Sequence, residues 1–377
     1  MPKSYVFCYT CDYMQRQEFT TEIGGKTLTA EFTDLADQAD GSVIVRYGNT
    51  TVMATAVMGR EERIGLGYFP LTVDYEEKHY AAGAILGSRF MRREGRPSDE
   101  AILTGRIVDR TSRPLFDHRL RNDVQVVVTV LSISEDDPDV LAVIASSLAL
   151  ATSDIPWGGP VSAVRVGKHR SGEKIINPTY IMRDHEELLY DVLACGTGDT
   201  INMIETKAFE AQESDIQEAF THALEELKKI QTFQEDIVKK IGKTKRVVDL
   251  SSPSSELKEL FKTNIAPKVV DAIFTGTPGK EGIGTLSKEW QRLVVEKLPD
   301  ANKAHVEDIF EHAIDACLHT EAVERDRRPD GRKMDEVRPL FAEARGIATP
   351  MVHGAGVFFR GGTHVFTALT LGGPGDT

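Results

Sequence analysis

Hydrophobic and polar residues alternate in two widely separated stretches, and each stretch predicts a β-hairpin. Residues 41–59 contain two runs of β-branched residues around a central Gly-Asn dipeptide, which is typical of a two-residue hairpin turn. Residues 354–372 repeat the pattern 313 positions later, with Gly48 matched by Gly361. A repeat this long is not a solenoid, so it indicates a duplicated domain.

Between the two hairpins, the hydrophobic pattern changes from mixed strands and helices to amphipathic helices. Residues 124–133 are a continuous apolar run typical of a buried strand, and residues 138–152 form an apolar helix that opens with proline after acidic residues. From residue 209 to about 318 the strand patterns disappear and amphipathic helices follow, beginning with residues 211–241. We expect three or four helices there, separated by Pro253, by the turn at 275–279 and by Gly282-Ile-Gly284.

These patterns predict an α/β (α+β) fold class with an all-α domain inserted after the first α/β domain. The final α/β segment, about forty-five residues from Arg332 onward, is too short to enclose a core. The predicted organisation is a 1–13 extension, a 14–206 α/β domain, a 207–325 all-helical domain and a 326–377 start of a second α/β domain.

The amino-acid composition excludes several classes of protein. The 377 residues carry a formal net charge of −13, which excludes a generally basic nucleic-acid coat and confines any polyanion to a local patch. The longest apolar runs are too short to span a membrane, so we expect a soluble, cytoplasmic protein. Cys8 and Cys11 form a single CxxC without the second pair of ligands that a zinc site needs.

Residues 86–121 have the most unusual local composition, with nine arginines and no lysine. The planar guanidinium binds phosphate through two donors and stacks on bases, and an aromatic residue among arginines is typical of surfaces that bind single-stranded nucleic acid. A solvated loop paired with local carboxylates is the alternative. The candidate RNA-binding residues are Arg89, Phe90, Arg92, Arg93 and Arg96.

A second group of charged residues follows in residues 106–116. Arg106, Asp109, Arg110 and Arg113 recur at three- and four-residue steps, which places them on one face of a helix that Pro114 would end. A phosphate-binding role and an arginine–carboxylate ladder within a structural interface are equally compatible with this spacing.

Several short motifs resemble the first core domain of the bacterial polynucleotide phosphorylase family, which has the RNase PH fold. The helical insert resembles that family's linker domain, and residues 328–332 resemble the opening of its second core. The motifs are FPLTVDY at 69–75, YAAG at 80–83, RREGRPS at 92–98, DRTSRPLF at 109–116 and INPT at 176–179.

The resemblance implies a phosphorolytic 3′-to-5′ exoribonuclease that acts in mRNA degradation. Inorganic phosphate would be the co-substrate, Mg²⁺ the cofactor, single-stranded RNA the partner and a ring-shaped homotrimer the assembly. The arginine-rich loop would line the RNA entry channel. In this chain Met91 occupies a position where a second aromatic residue is commoner.

The resemblance also predicts that this chain has no catalytic or metal-binding residues of its own. In this family an Asp-x-Lys strand of the second core holds the metal and assists acid–base chemistry, and the matching strand of the first core here has Asp191 but Leu193 in place of lysine. The second copy ends before its own strand, and the usual KH and OB-type RNA-binding modules do not follow it. We therefore expect an inactive amino-terminal fragment of an enzyme; the alternative is a noncatalytic RNA-channel or scaffold subunit of an RNase PH-type ring.

Overall fold

The chain forms two compact units in a computed structural model, Met1–Leu250 and Ser251–Thr377. None of the helices that the structure describes is both long enough and apolar enough to cross a membrane. The described residues are 15–63, 66, 68–85, 87, 95–248, 250, 252–276, 279–345, 351–373 and 375.

A six-stranded sheet forms one layer of the first unit. Its order is β1-β2-β3-β4-β6-β5, and only the β5–β6 pair is parallel. Helix α1 (Asp99–Ser112) lies between β5 and β6 in the chain and packs on β5, as a parallel crossover requires. The strands are β1 (Arg16–Ile23), β2 (Lys26–Thr33), β3 (Gly41–Tyr47), β4 (Thr50–Glu62), β5 (Leu71–Glu76) and β6 (Asn122–Ser132).

A four-stranded antiparallel sheet forms the second layer of this unit, in the order β10-β9-β7-β8. Its strands are β7 (Ser162–His169), β8 (Lys174–Ile176), β9 (Leu188–Gly196) and β10 (Ile201–Ala208). Two helices complete this part of the chain, α2 (Pro138–Thr152) before β7 and the short α3 (Tyr180–Arg183) before β9.

Helix α2 is buried around its whole circumference. It packs against β3, β4 and β6 of the first sheet and against β7 of the second, and every residue from Pro138 to Thr152 is buried. Asp137 caps its amino terminus by accepting a hydrogen bond from the backbone N–H of Asp139. The helix predicted over residues 138–152 is confirmed, and its uniformly apolar sequence reflects a position between two sheets.

Helix α4 (Glu213–Ile241) follows the second sheet and packs on β7 and β9. Its apolar face, including Ala223, Leu227 and Ile230, belongs to the core of the first unit. The sequence pattern predicts this segment as part of an all-helical domain that begins at residue 207, whereas the compact units divide after Leu250. Helical periodicity shows which face is buried, but not which part of the protein buries it.

The second unit begins with four α-helices around a separate core. They are α5 (Ser255–Asn264), α6 (Val269–Ile273), α7 (Glu281–Lys297) and α8 (Lys303–Arg325). Trp290 lies at the centre of this core, where its indole N–H donates to the carbonyl of Val306 and its ring meets Phe261 edge-on. The described part of 207–325 thus has five α-helices rather than three or four. Gly282 and Gly284 lie in the first turn of α7 instead of separating two helices.

A three-stranded antiparallel sheet ends the described chain, with β11 (Leu340–Ala344), β12 (Gly354–Arg360) and β13 (Thr363–Leu369). Its hairpin pairs Arg360 with Thr363, and the β3–β4 hairpin pairs Tyr47 with Thr50. The two registers therefore match at the predicted offset. Apolar side chains of this sheet are exposed, among them Phe341, Phe358, Val365, Phe366 and Leu369.

Candidate functional site

Of the five candidate RNA-binding residues, the structure describes Arg96. Arg89, Phe90, Arg92 and Arg93 lie outside the described residues. Arg96 is exposed and borders a cavity of about 1070 Å³. Within the described part of the chain, its guanidinium has no hydrogen bond or ion pair. This side chain is therefore available to a ligand.

The wall of this cavity is held together by local polar contacts. Lys78 pairs with Glu76 at 2.9 Å. Ser98 donates from its hydroxyl to Glu77 at 2.9 Å and accepts from the backbone N–H of Ala101 at 3.0 Å, which caps the amino terminus of α1. These contacts fix the end of β5 relative to the start of α1, so Arg96 extends from an ordered support.

The charged face predicted on residues 106–116 exists: α1 carries Arg106, Asp109 and Arg110 and ends at Ser112, and Arg113 is its carboxy-terminal cap. Arg113 pairs with Asp109 at 2.6 Å and donates to the carbonyls of Phe69 and Leu71, at 3.2 and 3.1 Å. Arg113 thus ties the helix to the start of β5, and a structural ladder is the role that its contacts support.

The two arginines within α1, Arg106 and Arg110, differ from Arg113 in their contacts. Arg110 reaches β10, where it pairs with Glu205 at 2.9 Å, and both side chains are about half exposed. Arg106 lines a groove of about 440 Å³ between α1 and β5, and no described residue forms an ion pair or hydrogen bond with its side chain. Arg106 is the member of this face that remains available for a phosphate.

Asp191 lies in the interior of the first unit. Its side chain is 2% exposed, and one carboxylate oxygen accepts from Arg165 at 2.9 Å and from Arg183 at 2.8 Å. Leu193, two residues later in β9, is completely buried. The carboxylate is therefore engaged by two cations of this chain and is closed to solvent.

Two more carboxylates complete a buried ion cluster, which comprises Asp137, Asp139, Arg165, Arg183 and Asp191. Arg165 pairs with Asp139 and Arg183 with Asp137. Burial raises the pKa of Asp139 to about 6, although Arg165 opposes this shift, and the neighbouring charge of Asp137 adds to it. Three carboxylates face two guanidinium groups, so the cluster lacks one cation.

This cluster was not found from the sequence, apart from Asp191. The available indication was an arginine within the apolar strand of residues 161–166, because arginine is seldom buried without a carboxylate partner. Asp137 and Asp139 lie at the amino terminus of α2, and Arg165 lies on β7. Arg183 is the last residue of α3. Their meeting depends on the packing of α2 between the two sheets.

The described residues of the first unit do not offer a donor set that fits a resident Mg²⁺. Among the residues that the structure describes, no group of three or more His, Cys, Asp or Glu side chains is arranged to hold a metal ion. The carboxylates of Asp137, Asp139 and Asp191 are directed at guanidinium groups, whereas Mg²⁺ needs carboxylates and water around an open octahedral position.

Residues 24–156 match the family described as "3' exoribonuclease family, domain 1". This match lies within the first unit. The matched residues run from the β1–β2 turn to the segment after α2, so they include the whole six-stranded sheet except β1. The RNase PH-like fold expected from the sequence motifs is confirmed.

Curated relatives match almost the entire chain. It is 43% identical over 363 residues to the polyribonucleotide nucleotidyltransferase of Heliobacterium modesticaldum, covering 94% of this chain and 50% of that protein. It is 40% identical over 370 residues to the enzyme of the same name from Shouchella clausii, covering 96% of this chain and 50% of that protein. The family resemblance is thereby confirmed, and the chain spans about half the length of the curated relatives it matches.

Among solved structures, the chain is similar to the crystal structure of rice (Oryza sativa) Rrp46. The sequence identity is 15% and the TM-score is 0.44, over 59% of this chain and 94% of the rice protein.

Proposed function

We propose that this chain is the amino-terminal part of a phosphorolytic 3′-to-5′ exoribonuclease that degrades mRNA in the cytoplasm. In this reaction inorganic phosphate attacks the terminal phosphodiester of single-stranded RNA and releases a nucleoside diphosphate, and the step is reversible. The observation that carries the proposal is the similarity of 94% of the chain to half of a polyribonucleotide nucleotidyltransferase.

In this proposal the first unit binds RNA and performs no chemistry. Arg89, Phe90, Arg92, Arg93 and Arg96 contact the incoming strand, and the exposure of Arg96 is compatible with that role. The duplicated position that could have been catalytic is occupied by the buried ion cluster, whose charges are turned towards one another. A phosphate would find no open cation there.

The chemistry requires groups that the proposal assigns to the other half of the longer protein. Phosphate and RNA are both anions, so their approach needs cations and hydrogen-bond donors fixed around the reacting phosphorus. Mg²⁺, which would offset that charge, has no matching donor set among the described residues of this chain. We propose a homotrimeric ring as the assembly in which the two halves operate.

A comparison of this chain with a longer protein tests the proposal. Purified alone, the chain should release no ADP from poly(A) in the presence of phosphate and Mg²⁺. The same chain continued to the full length of its relatives should release ADP in proportion to added phosphate. Phosphate-dependent ADP release by the 377-residue chain would contradict the assignment of the chemistry to the missing half, and AMP release by the longer protein would contradict phosphorolysis.

A further inference from the structure

The second unit contains a cavity of about 390 Å³ whose walls are two backbone turns. Phe274 and Gly276 form one side, and residues 326–333 form the other. Gly331 has a φ of +75°, and a Cβ on it would lie 3.7 Å from the Cα of Gly276. The turns therefore approach each other closely, and the cavity has a fixed backbone wall.

Cationic side chains predominate around this cavity. It is lined by Arg327, Arg328, Arg332 and Lys333 and by one carboxylate, that of Asp326. Outside the lining residues, Asp330 pairs with Arg332 at 2.8 Å and Glu321 lies 3.4 Å from Arg327. A fourth carboxylate, that of Glu336, accepts a hydrogen bond from the backbone N–H of Lys333, so the excess of cations is confined to the side chains that line the cavity, in a chain whose net charge is −13. An anion is the ligand that this balance favours.

Two of the cations have no carboxylate partner in the described part of the chain. Arg328 donates from Nη1 to the carbonyls of Lys333, Met334 and Glu336, at 3.1, 3.3 and 3.3 Å, so it orders the loop but keeps its charge. The amine of Lys333 has no hydrogen bond or ion pair to any described residue. Both are free to neutralise an incoming anion.

A planar surface adjoins these charges. The guanidinium of Arg327 lies 4.4 Å from the centre of the Phe274 ring, and its side chain is 47% exposed. The guanidinium lies over the ring, and the exposed part of the Arg327 side chain can contact another planar group. Nucleobases stack on arginine in this way.

We propose that this cavity binds the phosphate of a nucleotide, with Lys333 and Arg328 at the phosphate and the base stacked on Arg327. The phosphate can belong to a free nucleotide or to RNA, because both present the same group. The cavity volume is within the range of small-molecule sites, about 300–1,000 Å³. The inference goes beyond the proposed function, since it requires neither phosphorolysis nor the first unit.

Calorimetric titration of the purified chain with ADP tests this site. Lys333→Gln removes one charge without breaking a side-chain contact, and Lys262→Gln makes the same change at an exposed position of α5. We expect Lys333→Gln to weaken ADP binding about tenfold, the loss of one charge-assisted hydrogen bond, and Lys262→Gln to leave it unchanged. Absence of ADP binding at about 1 mM, or equal affinity in all three proteins, would overturn the proposal.

A competition arm identifies the source of the phosphate. If oligo(A) with a 5′-hydroxyl displaces ADP from the wild-type chain, and Lys333→Gln weakens both ligands, the cavity binds RNA. If oligo(A) does not displace ADP, the cavity binds free nucleotides. Each outcome retains the site, and both are independent of whether the longer protein performs phosphorolysis.

Discussion

Arg165 on β7 and Asp191 on β9 form an ion pair of 2.9 Å in the interior of the first unit. Their strands are adjacent and antiparallel, so the pair bridges neighbouring strands rather than facing a ligand. A buried pair of this kind contributes little net stability relative to apolar residues of similar volume, but it is costly to break on one side. The pair accounts for the buried position of Asp191.

Replacement of Arg165 by Met should destabilise the first unit by about 3–5 kcal/mol, because Asp139 would remain buried without its cation and Asp191 would keep only Arg183. Arg110→Met should cost no more than about 1 kcal/mol, since Arg110 and Glu205 are exposed. Urea unfolding followed by hydrogen exchange in β7 and β9 measures both. A loss of similar size in the two variants would contradict a special role for the buried pair.

The pH dependence of stability should report the titration of Asp139. Burial raises its pKa to about 6, whereas an unfolded aspartate has a pKa of about 3.9. Between these values the folded state binds more protons than the unfolded state, so this carboxyl lowers the free energy of unfolding as pH rises from about 4 to 6.

Asp139→Asn isolates that contribution, because asparagine does not titrate. The stability of the variant relative to the wild type should increase as pH rises from about 4 to 6, as measured by urea midpoints at several pH values. The comparison cancels other acidic groups, including Asp154, whose pKa is lowered by its hydrogen bonds to Arg246. A constant difference would place the pKa of Asp139 at its ordinary value.

Local patterns predicted the elements, and tertiary packing decided their partners. The Gly48 turn and the repeated turn at Gly361 depend on residues adjacent in sequence, which is why the two hairpins and their common register could be predicted. Helix α2 could also be predicted from neighbouring residues, because acidic residues and a proline mark its start. The association of α4 with the first unit could not be predicted from neighbouring residues, because an apolar helix face can pack on any complementary surface.

The candidate sites show the same difference between contacts within one element and contacts between distant residues. Arg113 was assigned to the correct helix face, but its hydrogen bonds to the carbonyls of Phe69 and Leu71 involve residues more than forty positions away. The buried ion cluster draws on β7, β9 and the helices α2 and α3, and no spacing rule connects such distant residues. Arginine in an apolar strand was the one visible indication, and it did not reveal the partner.

Lys245 should anchor the carboxyl end of α2. Its amine donates to the carbonyls of Leu150, Ala151 and Ser153, at 2.8, 3.0 and 2.8 Å, which are groups that the end of a helix leaves without intrahelical partners. Lys245→Met should cost about 1–3 kcal/mol, because the carbonyls of Ala151 and Ser153 lose this donor and that of Leu150 keeps the Ser153 hydroxyl. Faster hydrogen exchange in α2 would show the effect.

An exposed lysine provides the control for this change. Lys239 lies on the surface of α4, its side chain is 71% exposed, and among the described residues it pairs with Asp236 alone. Lys239→Met should alter stability by less than about 0.5 kcal/mol. If exchange in α2 accelerates equally in both variants, Lys245 acts through general charge and not through the helix end.

The arginine-rich loop should contribute phosphate contacts to RNA binding. Replacement of Arg92 and Arg93 by Ala should weaken binding of single-stranded RNA and reduce the slope of log affinity against log salt by about 1.4, because each phosphate contact on a single strand contributes about 0.7. Fluorescence anisotropy with labelled oligo(A) over a range of salt concentrations measures both quantities.

Replacement of Arg110 and Arg119 by Ala is the matched control, because each has a carboxylate partner, Glu205 and Asp117. An unchanged slope in the loop variant would assign Arg92 and Arg93 to ion pairs within the protein, and an equal reduction in the control would show that total charge alone governs binding.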